Sequence, residues 1–81
     1  MDAAELEAER GKVYGDPLTN HENIAALWST WLGYDVLPSD VAMCMALVKE
    51  ARLMRTPDHQ DSIDDRGVYL DFHERFKAAG R

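Results

Sequence analysis

Apolar positions recur every three or four residues through most of the chain, and no stretch alternates with the period of two that marks a strand. Gly11, the Gly15-Asp16-Pro17 corner, Gly33, Pro38, Pro57 and Gly80 punctuate that pattern, and four helices are predicted between them. The first is short: residues 3–10, "AAELEAER", are strong helix formers that end at Gly11, with Glu5, Glu9 and Arg10 on the wet side. The second opens on Asp16 as N-cap with Pro17 in the first helical position, runs to about Leu32 and stops at Gly33. Ile24, Leu27, Trp28, Trp31 and Leu32 keep the spacing of a buried stripe, with Ile24, Trp28 and Leu32 predicted to point inward.

Ser39 in "LPSD" is the expected N-cap of a third helix. It carries Val41, Cys44, Met45, Val48 and Arg52 on one face, with Met43, Leu47, Ala51 and Met54 beside it. An apolar arc that wide predicts a central, largely buried helix, and with it a buried Cys44 thiol. The fourth helix is expected from Asp61 or Ser62, where Ser62 and Asp65 form a pair like a capping box. Ile63, Leu70, Phe72, His73 and Phe76 supply its apolar side, and Arg75, Lys77 and Arg81 sit near its C-terminus, where the helix dipole favours cations. The fold class is therefore all-α, a small bundle of one short N-terminal helix and three longer ones, in a single domain over residues 1–81.

Size changes this picture in one respect. A chain of 81 residues hides only about 60% of its unfolded surface. With two tryptophans, four methionines and a wide apolar arc to cover, a homodimer joined helix on helix is expected. Fifteen acids against nine bases give a net charge of −6 with no cluster of cations, so a nucleic-acid partner is not expected. A single cysteine excludes an intramolecular disulfide and suits a reducing compartment. No apolar run approaches the ~18 residues that cross a bilayer, and no leader-like segment begins the chain, so a cytoplasmic protein without membrane contact is expected.

Candidate chemistry concentrates in residues 61–69, "DSIDDRGVY", with three aspartates in five residues followed by a glycine and a tyrosine. Two accounts stand. Asp61, Asp64 and Asp65 complement the dipole of an ordinary helix start, or they are half of a site for a metal or a phosphate. Helical spacing sets Asp61, Asp65 and Tyr69 on one stripe, one turn apart, and makes Lys49 and Arg52 neighbours on the preceding helix. An antiparallel pairing of the two helices through the short "RTPDHQ" connection brings those cations towards the aspartates. In "VYGDP", Gly15 can take positive φ and Asp16 caps a helix whose N-terminus can bind an anion, while Tyr14 is explained only as packing. His21 reads as a satisfied, partly buried histidine, His59 and His73 lack convergent partners, and there is no zinc signature.

Three segments in order, "KVYGDPLTNHENIAALWSTWLG", "PSDVAMCMALVKEARL" and "PDHQDSIDDRGVYL", resemble small bacteriophage proteins related to the MazG-like, all-α nucleoside triphosphate pyrophosphohydrolases, and phage domains associated with nucleotide modification. The likeness runs from about Arg10 to Leu70. Its markers are Tyr14-Gly15-Asp16, Asn20-His21-Glu22, Lys49 with Arg52-Leu53, and Asp61-Ser62 with Asp65 and Tyr69. Such enzymes hold Mg²⁺ with two acidic motifs on successive helices. Here the second survives as Asp61, Ser62 and Asp65; the first is absent, with Ala46, Leu47, Leu53 and Met54 around Glu50. The resemblance implies a phage-encoded domain that binds a nucleotide or phosphate, with divergent or absent pyrophosphohydrolase activity. Asp61, Asp65 and Glu50 are the implied Mg²⁺ ligands, Lys49 and Arg52 the phosphate contacts, and Tyr14, Asp16 and Tyr69 the base or loop contacts. The competing expectation is a non-enzymatic phage protein that binds and alters a host protein.

Overall fold

Short-range chemistry sets the helix ends. The Asp16 carboxylate accepts from the Thr19 backbone N–H at 2.9 Å, Pro17 occupies the first helical position, and Gly33, at φ 81°, closes the helix with its N–H on Ser29 O at 2.9 Å. Both ends of this helix stand where the sequence sets them. The computed structural model describes residues 2–81, without the side chains of residues 3 and 10–14. Its elements are α1 (Ala3–Tyr14), α2 (Pro17–Leu32), α3 (Pro38–Arg55) and α4 (Gln60–Ala78), and no strand occurs among the described residues. The all-α expectation holds, with a first helix shorter than the other three.

Other boundaries move. α1 continues through Gly11 to Tyr14 and breaks at Gly15, whose φ is 75°. One interior glycine costs about 1 kcal/mol relative to alanine, too little to stop a helix. Pro38 starts α3, and Asp40 Oδ2 accepts from Leu37 N at 3.0 Å, so the cap is made by Asp40 and not by Ser39, which is buried inside the helix. α4 begins at Gln60 because the chain has already turned, His59 N bonding Thr56 O at 3.1 Å. Ser62 therefore lies within the first turn, 1% exposed, with Oγ 2.7 Å from His59 Nδ1; it caps nothing.

α3 and α4 form the most extensive contact and run antiparallel, as successive cross-helix pairs show: Lys49 with Asp65, Glu50 with Arg66, and His73 Nδ1 donating to Ser39 O at 2.8 Å. Ala42 joins Val68, Phe72 and Phe76 in the core, with Leu6, Leu18 and Tyr69 packed against it. Arg75 ties α1 to α4, pairing with Glu7 at 3.1 Å while its guanidinium lies 5.2 Å above the Phe72 ring. The Arg81 guanidinium pairs with Glu22 of α2.

The inward faces differ from those expected. On α2 the buried residues are His21 and Ala25, whereas Trp31 is 88% and Leu27 70% exposed, and Leu32 is exposed as well. On α3, Val41, Ala42, Ala46 and Leu53 are buried, while Leu47, Val48, Met54 and Cys44 face outward. Cys44 is thus an exposed thiol. The reason is architectural: α1 packs mainly on α4, so among the described residues α3 is covered by α2 and α4 and its far side has no helix over it. Among the described residues no helix is long and apolar enough to cross a membrane.

A candidate ligand pocket between three helices

A pocket of about 310 Å³ opens where the α1–α2 corner meets the middle of α3 and α4. Gly15 and Pro17 form one lip, Asn20 and His21 come from the first turns of α2, Lys49 from α3, and Tyr69 and Phe72 from α4. Each arrives by a local rule. Gly15 takes the positive φ that turns α1 into α2. Pro17 has no N–H to give, and its carbonyl accepts the His21 Nδ1–H at 2.7 Å one turn on. A carbonyl only accepts, so that bond places a proton on Nδ1. The imidazole is 3% exposed and stands edge-on to Phe72 and Phe76, with centroids at 5.4 and 5.2 Å, and 6.1 Å from Tyr69.

Lys49 is the cation of the pocket wall. Its Nζ lies 3.0 Å from Asp65 Oδ2, and the two side chains are only 13% and 18% exposed, so the pair is shielded from solvent far more than a surface ion pair. Asp16, at the rim, has its carboxyl held below the usual aspartate range, first by the Thr19 backbone N–H and then by the Thr19 hydroxyl at 3.1 Å.

The sequence-derived candidates are divided among four places. Lys49 and Tyr69 share the pocket, and Asp16 neighbours it; the Tyr14 side chain lies outside the described residues. Asp61 and Asp65 line a second cleft with Leu6, Gln60 and Asp64, and Gln60 Nε2 donates to Asp64 Oδ1 at 2.8 Å. Arg52 is parted from Lys49, lying in an open corner with Arg55, Thr56 and His59. Glu50 binds Arg66 at 2.6 Å. Among the described residues no three His, Cys, Asp or Glu side chains gather closely enough to hold a metal ion. In this structure Asp61, Asp65 and Glu50, the Mg²⁺ ligands that the resemblance implies, do not gather at one point: Glu50 is one residue, hence about 100°, round the helix from Lys49 and pairs with Arg66, while Asp65 pairs with Lys49. Asn20, His21 and Phe72 were not among the candidate site residues. Their signal lay in the Asn20-His21-Glu22 marker and in the four-residue step from Pro17 to His21.

Fold and pocket together define an all-helical domain in which a shielded lysine is set among aromatic rings. The chain belongs to the family described as Domain of unknown function (DUF6378), which it matches over residues 2–77. It is 38% identical over 73 residues to the Gene 55 protein of Mycobacterium phage L5, covering 89% of this chain and 47% of that protein. Against the Gene 55 protein of Mycobacterium phage D29 the identity is 40% over 70 residues, covering 86% and 46%. The chain thus spans about half the length of these relatives. The kinship with phage proteins is shown. No solved structure gives a significant match.

Proposed function

We propose that the chain is a MazG-like helical domain that takes a nucleotide, or a smaller phosphate ester, into the pocket between α2, α3 and α4, and that its pyrophosphohydrolase activity is divergent or lost. Lys49 is the observation that carries this: a shielded ammonium in the wall of a cavity that, among the described residues, is otherwise lined by rings, backbone and one amide. An ammonium has three donors. Asp65 engages one, leaving donors for phosphate oxygens, while Tyr69 and Phe72 offer ring surface to a base. The volume, about 310 Å³, suits the small end of ligand pockets. No step is assigned to Mg²⁺, since the carboxylates do not converge. Binding without rapid cleavage follows, in the cytoplasm of a bacterial host.

Ligand-dependent melting tests this, because binding only to the folded state raises its stability by RT ln(1 + [L]/Kd), about 2.7 kcal/mol at a hundred times Kd. Nucleoside triphosphates or pyrophosphate raise the midpoint of the wild type, and Lys49→Met loses the rise while keeping the helical fold. Asp65→Asn, which removes a competing negative charge, strengthens metal-free phosphate binding; a weakening would instead mark Asp65 as a metal ligand. If no nucleotide shifts the wild type at millimolar concentration, the reading fails. Mg²⁺-dependent pyrophosphate release measured in parallel reports on turnover. A second reading, a non-enzymatic phage protein that binds and alters a host protein, draws support from the outward Leu27 and Trp31 of α2. Specific capture of a host protein that Trp31→Ala abolishes, with no nucleotide shift, would favour it.

A further inference from the structure

α3 carries two apolar faces, and the bundle uses one. Ala42, Ala46, Lys49 and Leu53 make its inner face, buried or partly buried. On the opposite side Asp40, Cys44, Leu47, Ala51 and Met54 recur at spacings of four and three, and all are exposed, Met54 at 83% and Leu47 at 57%. That spacing is the seam of two helices packed along each other. We propose that this outer face of α3 is the contact between two copies of the chain, paired antiparallel about a two-fold axis that passes beside Leu47 and Val48.

Charge selects a second copy and sets its direction. Asp40 stands at one end of the seam and Arg55, next to Met54, flanks the other, with Cys44, Leu47 and Ala51 between them. Asp40 and Arg55 are about 22 Å apart along the helix. A parallel pair would set acid against acid and base against base. Antiparallel pairing sets Asp40 of each copy beside Arg55 of the other, Cys44 beside Ala51, and Leu47 beside Val48, so a single patch satisfies itself twice, as an isologous interface must. Surface area agrees. The chain exposes 5453 Å², about 500 Å² more than the roughly 4,900 Å² expected of a folded protein of 9.2 kDa. A standard interface covers about 800 Å² on each partner. The ligand pocket plays no part in this inference.

Light scattering and sedimentation at micromolar concentrations test it, with two variants. The wild type is expected to show the mass of a dimer. Leu47→Glu weakens association at least tenfold and leaves the far-ultraviolet helix signal unchanged, since the residue is already exposed in the single chain. In a Cys44→Ser background, Leu47→Cys forms a disulfide-linked dimer on mild oxidation, because in this register the two copies of residue 47 lie next to the axis, only about 1.5 Å apart along the helices. The native Cys44 pair, about 10 Å apart along the helices by this register, does not. A monomer at every concentration, a dimer indifferent to Leu47→Glu, or a Leu47→Cys variant that stays uncross-linked would each overturn the proposal, and a monomer would leave the face to a different protein. Should Leu47→Glu not fold, the cross-link decides.

Discussion

Single residues show how one change separates structural roles from chemical ones. Asp16 is a helix cap whose pKa is lowered by its hydrogen bonds to Thr19. A depressed carboxyl stabilises the fold fully above the unfolded aspartate range, and the contribution is lost as pH falls through the depressed value. Asp16→Asn, an equally good cap, is therefore expected to match the wild type near neutral pH and to flatten the acid limb of its melting profile. Ser62→Ala is expected to cost about 1 kcal/mol in urea unfolding through the lost bond to His59. The Asp16 cap was legible because every partner lies within three residues. Ser62 was misread as a cap because its buried hydroxyl is spent on His59, and Ser39 because Pro38 already starts the helix and the Asp40 carboxylate caps it. The Lys49–Asp65 pair was legible from helical spacing and a short connection. Glu50 was not, since the direction of a side chain one residue round a helix depends on which face the bundle buries.

For whole helices the question is which face turns inward. Number, order and approximate length of the helices could be read from punctuation and period, yet α2 and α3 are apolar on more than one side, and periodicity cannot rank two apolar faces. α2 gives a direct check. Trp28, half-buried, is expected to lose about 2 kcal/mol on truncation to alanine, below the range for a fully buried tryptophan. Trp31→Ala, at 88% exposure, is expected to change stability by less than about 0.5 kcal/mol in the same urea titration. On α4, Phe72→Ala is expected to cost about 3 to 5 kcal/mol, since the ring is 2% exposed and stacked on Phe76 at 5.7 Å. That is a large share of the 5–15 kcal/mol that holds a typical domain together.

At the scale of the molecule, three long helices enclose the pocket while α1 braces α4 from outside through Leu6 and the Glu7–Arg75 pair. Breaking that brace with Glu7→Gln is expected to cost less than about 1 kcal/mol, because the pair is half exposed, and to leave phosphate binding intact. The pocket differs in kind, because its wall is contributed by the α1–α2 corner, α2, α3 and α4 at once. A partly opened chain, with any one of these elements swung away, no longer possesses it. Bound ligand therefore suppresses every opening that parts those elements, however small, along with complete unfolding. In native-state hydrogen exchange, amides at the centres of α2, α3 and α4 are expected to slow by one common factor when pyrophosphate saturates the protein, and that factor reads out the binding free energy without any label on the ligand.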